Sequence, residues 1–351
     1  MEHNTQNTPH QRRKRYSGTH PKRFEEKYKE HNPEKYQDLI SHVMEKGNTP
    51  AGMHISIMVR EILGFLQIQP GQTGLDATLG YGGHSRKMLE CLQGKGHLYA
   101  LDVDPIESAK TKERMEKLGF DADIFTVRLQ NFAQIKKVAE ETGPFDFLLA
   151  DLGVSSMQID DPERGFSFRE DGPLDMRMNP QTGISAAQRL RELTKEEIRG
   201  MLEENADEPY ALEIASAIIG TLKKGGKIET TKELYRQIEM ALAFLPEKEQ
   251  KEAVRKSAQR TFQALRIDVN HEYESLYQFL EDLPYVMSPG GRIAILTFHS
   301  GEDRLVKKSF QRYYKEGLYQ SIADEVIRPS AEECRQNSRA HSTKMRWAIK
   351  E

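Results

Sequence analysis

Between residues 73 and 150 short apolar runs alternate with helical stretches, and the runs end in glycine-rich or acidic corners. The runs cover residues 73–77, 97–101, 124–128 and 145–150, with helical patterns at 85–92, 106–118 and 132–141 between them. Strand–helix alternation of this kind restricts the chain to an α/β fold, a parallel sheet with helices on both faces. The pattern resumes later, with a helix over 276–286, a turn at Ser288-Pro289-Gly290-Gly291, a strand over 292–298 and a last strand over 345–349. Residues 151–291 intervene, far more than the roughly 10–12 residues a crossover needs. Helical patterns at 195–205, 209–222 and 231–245 fill much of this stretch. The expected organisation is therefore a sheet domain over 50–158 and 256–351 with a helical domain, 159–255, inserted into it. A helix over 54–66 leads into the sheet domain. Residues 1–49 read as a flexible basic arm, marked by QRRKR at 11–15 and by Lys22 and Arg23.

Composition excludes several classes. With 351 residues and 37% hydrophobic content the chain can bury one large core and a smaller second one. Lys and Arg number 51 against 54 Asp and Glu, so any nucleic-acid surface has to be local. No apolar run approaches the ~18 residues that span a bilayer, and no signal core opens the chain. A membrane partner is not expected and a cytoplasmic setting is. Cys91 and Cys334 are too few and too far apart for a disulfide framework or a zinc site. Nothing indicates a homo-oligomer, which stays open.

Three features fall at the C-terminal ends of successive strands, the edge where open α/β sheets bind ligands. The first is the run from Asp76 through Gly80, Gly82 and Gly83 to His84, where glycines permit tight turns and close approach of a ligand to backbone N–H groups. Turn geometry alone would also explain such glycines. The second is Asp102, suited to accept hydrogen bonds from two ribose hydroxyls; Asp104, directly before Pro105, better suits the cap of the next helix. The third is Asp151-Leu152-Gly153-Val154-Ser155-Ser156 at a central strand mouth, whose alternative is a plain strand-ending turn. The loop lacks G-x-G-x-x-G and no P-loop is present, which disfavours dinucleotides and nucleoside triphosphates. S-adenosylmethionine, a nucleoside cofactor without pyrophosphate, fits best, and no metal is required.

The stretches DATLGYGGHSRKML, LYALDVDP, LLADLGVSSMQIDDPERGFSFREDGPLDMRM, RTFQALRIDVN, GGRIAILTFHSGEDRLVK and SRAHSTKMR resemble the MraW (RsmH) family of small-subunit rRNA cytosine-N4 methyltransferases. The resemblance runs from about His54 to the C-terminus. It implies a class I methyltransferase (Rossmann-like) sheet with a helical insertion, S-adenosylmethionine as cofactor, and methyl transfer to N4 of a cytosine of 16S rRNA near the ribosomal P site. By position it implies cofactor contacts at Gly82, Gly83, His84, Asp102, Phe132, Asp151 and Gln158. Phe132 would pack on adenine, where core packing is the plainer reading. The chain departs from the family at Gly301, where leucine is usual, in the run SRAHSTKMRWA, and in a longer arm. These departures leave room for a second, divergent family copy of the kind some bacteria carry.

An exocyclic cytosine amine is a poor nucleophile because its lone pair is delocalised, so it must be held in line with the methyl group. Asp151, Ser155 and Ser156 are the expected acceptors for its protons. Attack by cysteine, as C5 methylation requires, is disfavoured because neither cysteine lies at a strand mouth. For RNA, Arg164, Phe166 and Arg177 interleave charge with aromatics, together with Phe168 and Arg169. Arg260 and Arg266, His299 and Arg304 extend the candidate substrate surface. Burial of Phe166 and Phe168 between domains, and ordinary solvated faces for the arginines, remain alternative readings. A non-catalytic ribosome-assembly factor with the same fold, or a methyltransferase for another nucleic acid, are the competing functions.

Overall fold

The computed structural model describes residues 56–351. The expected basic arm, 1–49, lies outside the described residues, as does the start of the helix expected from residue 54. The described chain opens with α1 (Val59–Leu66), then β1 (Thr73–Asp76), α2 (Gly83–Leu92), β2 (His97–Asp102), α3 (Pro105–Lys117), β3 (Phe125–Leu129), α4 (Ile135–Thr142) and β4 (Phe145–Asp151). A helical stretch follows: α5 (Ser156–Asp160), α6 (Ala186–Glu192), α7 (Lys195–Ala206), α8 (Ala211–Lys223), α9 (Thr231–Ala241) and α10 (Glu247–Asn270). The chain then returns through α11 (Glu272–Asp282), β5 (Met287–Thr297), α12 (Ser300–Lys315), β6 (Tyr319–Ile322), α13 (Ala331–Gln336) and β7 (Lys344–Lys350).

The seven strands form one sheet in the order β3-β2-β1-β4-β5-β7-β6. The first five are parallel; β7 runs antiparallel to both β5 and β6. Central strands are apolar at nearly every position because both faces are covered. Along β4 the side chains alternate: Leu148 and Ala150 join the core under α11 and α12, while Phe147 and Leu149 join the core under α1 and α2. The expected turn at 288–291 lies inside β5, where the pairing with β4 slips between Phe145 and Phe147. Gly290 there has φ 74, so the glycines make a bulge, not a chain reversal.

The helical stretch has its own core, built from Leu190, Ile198, Leu202, Ile214, Ile218, Leu234 and Ile238. That core also takes Ala258, Phe262 and Leu265 from α10. The expected return to the sheet domain at residue 256 therefore falls inside a 24-residue helix. The geometry puts the return at His271, whose left-handed φ of 50 turns α10 into α11. Among the described residues no helix is long and apolar enough to cross a membrane.

Candidate active site

The strand order reverses at β1, which pairs with β2 on one side and β4 on the other. Ligands of open α/β sheets bind at this switch point. A cleft of about 1030 Å³ opens there, lined by the β1–α2 loop, the ends of β2 and β4, and one side of the helical insertion. This is at the upper end of the ~300–1,000 Å³ typical of small-molecule sites, so it has room for a cofactor and part of a second molecule.

The glycine loop is shaped by its neighbours. Gly82 has φ 78, and a Cβ there would lie 2.7 Å from the Thr111 methyl; a Cβ on Gly83 would lie 2.0 Å from Ser56 Oγ. Only glycine lets the backbone sit this close. From α3, Thr111 Oγ1 donates to Gly80 O (2.7 Å) and Arg114 donates to Tyr81 O (2.8 Å) while stacking over the Tyr81 ring. Asp102 completes the loop: its Oδ2 accepts from Gly80 N–H (2.8 Å) and its Oδ1 from Asp104 N–H (2.8 Å). Burial pushes the Asp102 carboxyl up to about 6, against the pull of these N–H donors. Asp104 caps α3, accepting from Ile106 and Glu107 N–H, as its place before Pro105 suggested.

Asp151 ends β4, its N–H donating to Thr78 Oγ1 (2.6 Å). Its Oδ1 is sealed from water with no hydrogen-bond partner, and its Oδ2 stands 3.4 Å from His84 Nδ1. Burial pushes this carboxyl up to about 6 as well; His84 opposes the shift, and Asp76 and Glu302 add to it. Glu302 itself is held below the usual carboxylate range: burial pushes it up, but His299, the Phe298 N–H and Arg266 together outweigh that.

Several expected ligand contacts are committed to the fold. Ser155 Oγ accepts from Gln158 N–H (3.2 Å) while Gln158 Oε1 accepts from Ser155 N–H (2.9 Å), a reciprocal cap on α5. Gln158 Nε2 donates to Asp104 (2.9 Å), so its side chain holds the cleft wall. Ser156 lines the cleft beside it. Arg164 does not face the cleft. It pairs with buried Asp104 (2.8 Å) and donates to the carbonyls of Arg177 and Met178, because a guanidinium is needed to balance that buried carboxylate. Phe166 and Phe168 both line the cleft; Phe166 is 8% exposed and belongs to the insertion's core, and half-buried Phe168 stacks on Tyr235 with one side of its ring. Arg260 and Arg304 lie outside the cleft, each 3.9 Å from an acid, Glu208 and Asp207. Phe132 lines the cleft edge-on to Phe279, as do Arg177, Arg266 and His299, each beside an acid: Asp175, Glu272 and Glu302. Arg169, also in the lining, is exposed and has no ion-pair partner among the described residues.

The cleft is divided by charge. Its lining residues numbered 56–158 include Asp102, Glu107 and Asp151 and neither Lys nor Arg; those beyond carry Arg169, Arg177, Arg189, Arg266 and Arg339 against Asp268, Glu272 and Glu302, an excess of arginine over acid. The first half repels phosphate and favours a cationic ligand, toward which Asp151 can present only Oδ2, its Oδ1 being sealed. A nucleoside bearing a sulfonium and an ammonium meets that demand. On this sheet topology it places the chain among the class I, S-adenosylmethionine-dependent methyltransferases. Sequence comparison narrows the class: the model of the family described as "MraW methylase family" matches residues 51–351, and the chain belongs to that family. It is 65% identical to "Ribosomal RNA small subunit methyltransferase H 1" of Lachnoclostridium phytofermentans, over 97% of this chain and 93% of the relative. It is 64% identical to the protein of the same name from Agathobacter rectalis, over 97% and 98%. A relative from Thioalkalivibrio sulfidiphilus, "Ribosomal RNA small subunit methyltransferase H", is 38% identical over 85% and 98%.

Proposed function

We propose that this protein transfers a methyl group from S-adenosylmethionine to N4 of a cytosine in small-subunit rRNA, near the ribosomal P site, in the cytoplasm. The observation that carries the reading is the charge-divided cleft, with Asp151 among the acids of its first half. The relatives' names supply the RNA, and the arginine half supplies surface for its phosphates.

The Gly80–Gly83 backbone and Asp102 would hold the nucleoside end of the cofactor, with Phe132 beside the base. When bound, S-adenosylmethionine supplies an electrophilic methyl group. Asp151 accepts a hydrogen bond from the target amine through Oδ2, since Oδ1 is sealed, and this draws electron density onto the nitrogen. Ser156 lies within the same wall. Arg169, Arg177 and Arg266 receive the RNA backbone around a base turned out of its stack. The Asp102→Ala variant and the wild type, incubated with labelled S-adenosylmethionine and unmethylated small subunits, test this. Label in N4-methylcytidine from the wild type and none from the variant supports the reading. Label in another nucleoside, or cofactor binding with no label, overturns the substrate assignment; failure to bind cofactor points to a non-catalytic assembly factor.

A further inference from the structure

Methyl transfer to an amine leaves a proton that needs an acceptor. His84, the second residue of α2, is 8% exposed, and its Nε2 lies 2.9 Å from Ile57 O. A carbonyl only accepts, so Nε2 carries the hydrogen and Nδ1 presents its lone pair. That lone pair faces Asp151 Oδ2 at 3.4 Å, outside the usual ~2.7–3.2 Å of a formed bond. With the imidazole neutral, Nδ1 and Oδ2 are two acceptors facing each other.

We infer that His84 and Asp151 form an acceptor couple for one proton, and that the proton shed by the methylated amine is received at Asp151 Oδ2 and held between Oδ2 and His84 Nδ1. This rests on the amine-methylation reading above. The step balances. The amine lone pair forms the new bond to the methyl carbon, and the carbon–sulfur pair stays on sulfur, leaving a neutral thioether. The N–H pair returns to nitrogen, and the proton crosses to Oδ2. A methylated, still protonated cytosine amine is a strong acid, so a carboxylate is basic enough to take its proton. Other charged groups around the couple supply no competing donor. Asp76, at the end of β1, is tied to Ser85 Oγ (2.5 Å) and Thr78 N–H (3.1 Å). Glu302, from α12, is tied to Phe298 N–H (2.8 Å) and pairs with His299, with Arg266 beyond it. The couple thus has acids on two sides and, among the described residues, no further hydrogen-bond donor facing it. The resemblance to the family assigns His84 a cofactor contact; the geometry gives it a second task.

The test uses two measurements on the full chain. In His84→Gln the amide nitrogen can still donate to Ile57 O, but the nitrogen facing Asp151 is gone. Single-turnover methylation of small subunits at saturating cofactor is expected to fall at least ~100-fold, with cofactor affinity changed only a few-fold. A wild-type rate at saturating cofactor, with only the affinity reduced, overturns the proton route. Independently of substrate and of that variant's folding, 15N-histidine NMR reports the His84 tautomer. It should show hydrogen on Nε2 and, in Asp151→Asn, a midpoint for protonating Nδ1 moved to lower pH, because the facing anion is gone. Hydrogen on Nδ1, or an unmoved midpoint, refutes the couple. If the wild type itself methylates no rRNA, the function proposed above fails, while the NMR result still decides the couple.

Discussion

Gly301, expected from the family resemblance to be a leucine, has no room for one in this structure. A Cβ at 301 would lie 1.9 Å from the Tyr273 hydroxyl, which donates to Asn205 O (3.3 Å). The tyrosine fills the space a longer side chain would use. Gly301→Ala is expected to destabilise the protein by about 1–3 kcal/mol, and Tyr273→Ala to relieve most of that cost in the double variant. Urea melts of the four proteins decide it, strict additivity being the contrary result. Asp102 and Asp151 make a second prediction. Both carboxyls are pushed up to about 6, chiefly by burial, so both lose their charge as pH falls through that value. A neutral carboxyl neither attracts a cation nor accepts as strongly. Cofactor affinity measured by calorimetry should be steady from pH 8 to 7 and weaken progressively below pH 6. Affinity flat down to pH 5 would remove the carboxylates from the site. Asp102→Ala should cost roughly 1.5–3 kcal/mol of binding, about 10- to 150-fold.

At the level of elements, α3 is the best example of local and distant information meeting. Asp104 before Pro105 announces a cap, and the cap is there. What the residues around it do not announce is that the same carboxylate, 0% exposed, also takes Arg164 and Gln158 from 60 and 54 positions away. Arg164→Ala leaves that charge without its guanidinium and is expected to cost about 3–5 kcal/mol, read as a lowered denaturation midpoint, with cofactor affinity weakened in the fraction that still folds. The alternation of strands and helices, the glycine loop and the acids at strand ends were legible because each rests on local patterning. Arg164, expected on the RNA surface, instead balances Asp104, a role that depends on a partner only folding brings near. The boundary expected at residue 255 has no break in the chain to mark it, because it falls inside α10, whose second half still packs into the insertion's core. The strand Tyr319–Ile322 is not legible in the sequence: it is four residues long at the sheet's edge, and Gln320-Ser321 between Tyr319 and Ile322 breaks the period-two alternation of a half-buried strand.

Across the whole molecule, the excess of arginine over acid in the cleft lining beyond residue 158 makes RNA binding depend on salt. Arg169→Ala should weaken binding to small subunits and lower the slope of log affinity against log salt by about 1; an unchanged slope would place the RNA elsewhere. The link from β2 to the insertion carries a further consequence. Asp102 and Asp104 are joined by one residue, and the first bonds the second's N–H while the second anchors residues 158 and 164. The helical insertion is therefore not an interchangeable cassette. A chimera that splices a foreign helical segment between β4 and α11 will retain a working cofactor pocket only if the graft brings its own arginine and glutamine to Asp104, and clean excision of residues 159–270 should leave a sheet domain that no longer holds its cofactor.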